Sequence, residues 1–560
     1  MTIPPATMAR RHHCVPLGRP CRVRRSAAPA AREATTARPA PTKSGGSDST
    51  ASRVSGMVRE KASTPSSPQS RPARSGRRIA VVDGGVALSL PVMNDDSTVG
   101  IVDSLRRLIA ASPDGSRLPS TRQLVGEHHA SPVTVQRALR LLAAEGVLES
   151  RPGVGTFVRS APIARAHDYS WQTTTLGPRT SSSVRQPVAL TEAANDMISM
   201  HGGYPDGELL PERLVRAALA RAGRGPSALV RPPVAGLPGL QTWFAAELAS
   251  ATAPGVSAPA AADVIIVPGS QTGLSSILRA VAGGARPVVM ESPTYWGAIS
   301  AARHAGVTVV PVRSSPTGPQ PEDVDRVLAE SGARLFYAQP TWANPTGAQW
   351  SAQRARDILE VVRSHGAFLV EDDWAHDFGI DSTARPLAGT DDSGHVIYLR
   401  SLTKSVSPSV RVAAVIARGP VRGRILADQT GESMYVSGVL QAAALDVVSQ
   451  PGWSTHGRRT REQLRARRDL LVTALRRHAP EAVVDATPSG GLSLWARLPE
   501  GTDARDVAAR CRDLGVMVGA GDDWFPTEPS GPHLRLTYCG PDPGRYDEGA
   551  RLLGEVLRQP

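Results

Sequence analysis

Ser401-Leu402-Thr403-Lys404-Ser405-Val406-Ser407-Pro408-Ser409-Val410-Arg411 carries one lysine, a hydroxyl three residues before it and an arginine seven residues after it. Upstream lies Glu371-Asp372-Asp373-Trp374, and before that Asn344-Pro345-Thr346-Gly347. A lysine with these companions suggests a Schiff base to pyridoxal 5'-phosphate. That chemistry needs an amine to form the imine and a carboxylate to keep the pyridine nitrogen protonated, so that the ring works as an electron sink. It also needs a donor facing the ring's phenolic oxygen, and an arginine whose fork holds the phosphate. Lys404, Asp372, Asn344 and Arg411 fill those places in that order.

Each motif follows a short apolar run: Val264-Ile265-Ile266-Val267, Val288-Val289-Met290, Leu335-Phe336-Tyr337, Phe368-Leu369-Val370 and Val396-Ile397-Tyr398. Short apolar strands between helical patterns predict an α/β fold with a mostly parallel sheet between helices. Such sheets hold their ligands beyond the strand ends. Gly269-Ser270-Gln271-Thr272 follows the first run and opens a helix, where free backbone N–H groups and the helix dipole suit the phosphate. From about residue 420 long helices and a few strands predict a smaller C-terminal lobe, so the large domain is read as 197–420 and the lobe as 421–560.

On these residues, the chain from about 197 to about 557 resembles a fold-type I aminotransferase domain. The resemblance implies pyridoxal 5'-phosphate on Lys404, with Ser401 as a phosphate hydroxyl and Tyr295 as the ring that stacks on the cofactor. Tyr204, in Gly202-Gly203-Tyr204-Pro205, is implied near the substrate, and Arg535, in His533-Leu534-Arg535-Leu536, is implied to grip an α-carboxylate. Three departures stand out. Trp374 occupies the place of a tyrosine whose hydroxyl usually reaches the phenolic oxygen; an indole N–H only donates, and with a different reach. The tyrosine usual before the Gly-Leu segment is absent from Ala228-Leu229-Val230-Arg231-Pro232-Pro233, and Gln241 stands where a basic residue is common. Cofactor binding is expected to survive them, with little or no transaminase turnover.

The N-terminal part has a different character. Residues 1–95 are rich in Ala, Pro, Ser, Arg and Gly without lasting periodicity and are read as a disordered basic tail, or as an upstream extension of a chain starting at Met57 or Met93. In residues 96–160, Val102, Leu105, Leu108 and Ile109 share one helix face. Ser120 with Gln123 matches a capping box that opens a second helix. Ser131-Pro132 opens a third, with Val135, Ala138, Leu139 and Leu142 as its apolar face. Gly146 to Val158 reads as a hairpin with a glycine-rich tip. Three helices and a hairpin make a winged helix-turn-helix, whose third helix enters the major groove and brings Ser131, Thr134, Gln136 and Arg137 to the DNA.

Residues from about 98 to about 159 resemble the winged helix of GntR-type regulators, and the fusion in this order resembles the MocR subfamily of bacterial transcription regulators. The GntR resemblance implies DNA contacts for Arg122 and Gly153 as well. Pro132 departs from the basic residue usual after the serine. Residues 161–196 are read as a flexible linker, whose mean span would be roughly 30–35 Å.

Net charge is +13 over 560 residues, which fits a polyanion partner. Part of the excess lies in the tail. Four scattered cysteines imply no disulfide framework and suit a reducing cytoplasm. No run is apolar enough to span a membrane, and no metal site is read. The expected protein is a cytoplasmic homodimer that binds double-stranded operator DNA and senses a small amine, an amino acid or pyridoxal 5'-phosphate. Two alternatives are an active class I/II aminotransferase with a vestigial DNA head, and a sensor of cofactor level that controls vitamin B6 synthesis.

Overall fold

The computed structural model describes residues 95–159, 168–176, 188–194 and 196–559. The basic tail and much of the linker lie outside them. The chain divides into two units, Met1–Ala166 and His167–Pro560.

In the first unit α1 (Asp95–Ala110), α2 (Thr121–Glu127) and α3 (Pro132–Ala144) precede a hairpin of β1 (Leu148–Arg151) and β2 (Gly155–Val158). The Ser120 side chain caps α2 reciprocally with Gln123, and Ser131 caps α3, where Pro132 stands in the first turn. Both caps satisfy N–H groups that the helix itself cannot. Ile101, Val102, Leu105, Leu124, Val135, Ala138, Leu139 and Leu142 form one core. Leu108 is 38% exposed, and Ile101 takes the core place expected of it. The segment before α2 also bonds β2, from Gly115 N to Val158 O (2.9 Å) and from Leu118 N to Thr156 O (2.8 Å), so the wing is backed by a third extended stretch. At its tip Val154 N bonds Arg151 O at 3.0 Å, and Gly153 supplies the positive φ (+73°) that this turn requires.

The second unit holds β3 (Ile198–Ser199), β4 (Val264–Val267), β5 (Val288–Ser292), β6 (Val309–Ser315), β7 (Gly318–Pro319), β8 (Leu335–Ala338), β9 (Phe368–Asp373), β10 (Val396–Ser401), β11 (Ala413–Ile416), β12 (Ser493–Arg497), β13 (Val516–Met517), β14 (Gly519–Ala520) and β15 (His533–Thr537). Eight of them form the main sheet in the order β4-β11-β10-β9-β8-β5-β6-β7. The centre, β10-β9-β8-β5-β6, is parallel; β11 and β7 run against their neighbours. Successive residues of a strand face opposite sides, and both sides are buried. Ile265, Met290, Tyr337 and Val370 enter one core; Ile266 enters a second, and Val289, Phe336 and Leu369 a third.

A smaller lobe carries the sheet β12-β15-β14 and the helices Pro451–His478, Ala504–Asp513 and Tyr546–Arg558. The division expected at residue 420 is less simple. Helices Pro420–Ser433 and Gly438–Val448 bury Val421, Ile425, Ala443 and Val447 in the cores of the main sheet, while Ile198 and Met200 join the core of the lobe. Apolar faces follow the nearest uncovered surface rather than chain order. Within the segment read as a flexible linker, Ser170–Leu176 is a short helix and Val188–Leu190 a helical turn. Ala189 of that turn is buried and accepts the Gly203 N–H at 3.1 Å.

Candidate functional site

The ends of β4, β5, β8, β9 and β10 converge on one pocket of about 360 Å³. It is lined by Tyr204, Ser270, Gln271, Tyr295, Asn344, Asp372, Trp374, Ser401, Lys404 and Arg411, all of them expected site residues. Lys404 Nζ lies 4.1 Å from the centre of the Trp374 ring and 5.8 Å from that of Tyr204. Burial and the nearby Arg535 guanidinium lower its pKa to about 8, against the pull of Asp372. A buried amine beside a cation sheds its proton more readily than one in water.

Asp372 is held on one side only. Its Oδ2 accepts the Tyr337 hydroxyl at 2.7 Å and the Gln339 amide at 2.9 Å, while its Oδ1 is buried without a partner. Burial raises its pKa, and Tyr337, Gln339 and Lys404 oppose that rise. Asn344 Oδ1 accepts Arg535 Nε at 3.0 Å, which leaves the amide nitrogen as the donor it can offer. Arg535 is 2% exposed and gives Nη1 to the backbone carbonyls of His201 and Gly202 at 3.3 and 3.4 Å. Burial lowers its pKa to about 10, and no carboxylate among the described residues opposes this. Its guanidinium is held by Asn344 and two backbone carbonyls, neutral acceptors that leave its charge without an opposite one.

Gly269 (φ +89°) holds a backbone conformation that strains any other residue, and a Cβ there would lie 2.6 Å from Arg411 Nη2. The Arg411 guanidinium therefore stands directly over the loop that opens the helix at Ser270. Tyr295 donates to Gln271 Oε1 at 3.1 Å, and Gln271 in turn bonds Gly297 O at 2.8 Å. Ser401 Oγ accepts the Thr403 N–H at 3.2 Å. Trp374 Nε1 and Thr403 Oγ1 are buried without partners. The first residue of the acidic motif serves the fold instead: Glu371 takes the Leu387 and Ala388 N–H groups at 2.7 and 2.8 Å. Gln241 likewise bonds the Val264 carbonyl at 2.8 Å.

The sequence reading missed Tyr337 and Gln339, which hold Asp372. Tyr337 lies in β8 and Gln339 directly follows it, and their spacing of two in an extended stretch was the available signal, because such residues share a face. It also missed Leu190, the last residue of the helical turn in the linker, which lines the pocket.

In the first unit Arg122, Ser131, Gln136, Arg137 and Gly153 are exposed on α2, α3 and the wing. Thr134 is half-buried, and its hydroxyl lies 2.8 Å from that of Ser131.

These features define a winged helix joined to an aminotransferase-type site. The family model for aminotransferase class I and II matches residues 196–553, and that for bacterial regulatory proteins of the gntR family matches residues 98–158. The chain belongs to the aminotransferase class I and II family and carries a GntR-type DNA-binding domain, the composition of MocR-type regulators. It is 28% identical over 445 residues to the probable rhizopine catabolism regulatory protein MocR of Rhizobium meliloti, covering 78% of this chain and 88% of that one. It is 26% identical over 453 residues to the vitamin B6 salvage pathway transcriptional repressor PtsJ of Salmonella typhimurium, covering 78% and 93%. The crystal structure of LysN, the alpha-aminoadipate aminotransferase of Thermus thermophilus, matches with a TM-score of 0.61 at 27% identity, covering 70% of this chain and 98% of that one. Pyridoxal 5'-phosphate is the cofactor of this family. The pocket fits it: an orphaned Asp372 oxygen awaits a donor, and Arg411 stands over a loop with no room for a Cβ.

Proposed function

We propose that the protein is a cytoplasmic, homodimeric transcription regulator whose aminotransferase domain senses an amine or amino acid through pyridoxal 5'-phosphate held on Lys404. The observation that carries this reading is the pairing of a complete cofactor pocket with a buried, acid-free Arg535 in a chain that also has a DNA-reading head. When bound, the cofactor supplies a carbonyl carbon that amines attack and a ring that withdraws electrons. The remaining work falls to the chain. Lys404 anchors and yields, its lowered pKa leaving a large neutral fraction near pH 8. Asp372 offers Oδ1 to the ring nitrogen, and Asn344 offers its amide N–H to the phenolic oxygen. Tyr295 covers one face, while Arg411, Ser270, Gln271, Ser401 and Gly269 surround the phosphate. Arg535 and Tyr204 receive the effector.

Leu190 supports a route to the DNA head. It ends a linker turn and lines the pocket, so an occupant would meet the linker at this residue. A ligand shifts two states only by its differential affinity for them. The likeness to PtsJ keeps a response to the cofactor itself as a second reading; a shift with pyridoxal 5'-phosphate alone, without amine, would identify it.

For the head, Arg122, Ser131, Thr134, Gln136, Arg137 and Gly153 meet the operator. Arg122→Ala and Arg137→Ala each weaken operator binding, and each substitution that uncovers one phosphate flattens the salt slope by about 0.9. Thr134→Ala relaxes base preference instead. Mobility shifts at several salt concentrations, with operator and random DNA, check this; three variants that bind both DNAs like the parent protein would refute it. No helix among the described residues is long and apolar enough to cross a membrane.

Dimerisation is supported by an exposed apolar patch. Leu229 (94%), Val230 (64%), Met434 (68%) and Tyr435 (38%) are open to solvent. Their two segments are neighbours: a Cβ on Gly438 would lie 3.2 Å from Ser227 O. A patch of this kind marks an association surface. A chain starting at Met197 is expected to be dimeric in light scattering, and Leu229→Glu with Met434→Glu to shift it to monomer. A monomeric parent chain that still binds the cofactor would contradict this.

A further inference from the structure

A second cavity, of about 290 Å³, includes Ser405 in its lining and shares no lining residue with the cofactor pocket. We propose that this cavity, walled by Trp342, Phe378 and Trp453 and rimmed by Arg458 and Arg461, binds a small aromatic carboxylate independently of the cofactor pocket. Its size falls just below the roughly 300–1,000 Å³ common for ligand sites. That suits one ring and one charged group.

Three observations carry the assignment. First, Ser405 lines the cavity and is 4% exposed, and its hydroxyl is buried without a hydrogen-bond partner. A buried hydroxyl without a partner is unfavourable, and a ligand acceptor removes that cost. Second, aromatic residues line the cavity: Trp342 and Phe378 are buried at its base and Trp453 is half-buried beside it. Flat apolar walls favour a ring over a bare ion. Third, the charge is one-sided. Arg458 and Arg461 are one turn apart on helix Pro451–His478 and share its face. Arg461 Nε bonds Gly379 O at 3.2 Å, which holds its guanidinium at the cavity.

Among the described residues, the only carboxylate lining the cavity is Asp377, already bound by the buried Arg400 at 3.2 Å. His376 has its Nδ1 on Asp373 at 2.6 Å and so meets the cavity through Nε2. His456 sits beside Thr460, with Nε2 and Oγ1 3.3 Å apart. The local balance favours an anion. A carboxylate satisfies the hydroxyl and one guanidinium together.

Ser405 follows Lys404 in the chain. An occupant that takes the Ser405 hydroxyl therefore bears directly on the lysine's own backbone, and the cavity becomes a second input to the same sensor.

Benzoate is the probe. Arg535 also attracts carboxylates, so binding is counted by equilibrium dialysis of labelled benzoate against the full, cofactor-loaded chain. Two equivalents per chain are expected. Arg535→Gln should leave one, and Arg458→Gln with Arg461→Gln should leave the other. Both arginines of that pair are exposed and touch no cofactor group, so an unchanged visible absorption shows the double variant to be folded. Ser405→Ala should weaken the cavity's equivalent roughly 10-fold or more, as for a hydrogen bond to a charged group. Benzyltrimethylammonium, with the same ring and opposite charge, should not displace it. A single equivalent that vanishes in Arg535→Gln, two equivalents untouched by the Arg458/Arg461 pair, or displacement by the cation would each overturn the proposal. Loss of the Arg535 equivalent alone would count against the effector reading above and leave the cavity standing.

Discussion

Lys404→Ala abolishes the visible absorption of the purified protein and leaves nothing for borohydride to fix to the chain. Lys404 is the only lysine among the residues lining the pocket, and its Nζ is enclosed by Trp374 and Tyr204. The sign of the pH effect follows from its lowered pKa. An ordinary lysine, near 10.4, is almost wholly protonated at pH 8. Lys404, at about 8, is about half neutral there, so attachment of added cofactor should quicken as pH rises through 8 and level off above it. An attachment rate that keeps climbing to pH 10 would show an unshifted lysine. Asp372→Ala should weaken cofactor retention and alter the band's pH response, because it removes the orphaned Oδ1 together with the anchor for Tyr337 and Gln339. Absorbance, and mass analysis after borohydride, read both. A band that survives in Lys404→Ala and is still fixed by borohydride places the attachment on another residue.

Much of this was legible because the fold writes its chemistry at strand ends. The apolar runs that end at Val267, Met290, Tyr337, Val370 and Tyr398 announced five strands, and the motifs that follow them held residues that chemistry needs. Helix caps were equally plain: Ser120 with Gln123 and Ser131 with Pro132 use side chains whose preference is local. What escaped reading was set by tertiary packing. Nothing local says that Leu190 reaches the pocket, or that helices Pro420–Ser433 and Gly438–Val448 face the main sheet. Leu108 has the right helical spacing for the core but lies at its edge. Arg535 could be named from its motif. Its isolation from the carboxylates of the described residues could not, because that depends on distant parts of the chain.

Turnover should fall at least 100-fold below that of an ordinary aminotransferase, to about 0.01 s⁻¹ against the 1 s⁻¹ or more common among enzymes. Binding an amine asks only for a reachable Lys404, which lines the pocket, and for the seat proposed at Arg535. Transamination also asks Lys404, once released, to take a proton from the substrate α-carbon and return it elsewhere. The Trp374 indole crowds that path. Its ring centre is 4.1 Å from Nζ, so the indole fills the space beside the amine. Its N–H is buried without a partner, whereas a tyrosine hydroxyl there could both donate and accept. A misplacement of about 1 Å at such a step costs about 10²-fold. The measurement is a screen of amino acids and diamines by absorbance, followed by product analysis with added keto acids. Spectral change without product is the expected result, and turnover of 1 s⁻¹ or more in the parent protein would instead establish an active aminotransferase. Trp374→Tyr should raise product formation while leaving operator affinity unchanged. If that substitution moves neither the spectrum nor the rate, Trp374 does not govern the proton step, and the slow turnover must come from the second half-reaction with the keto acid.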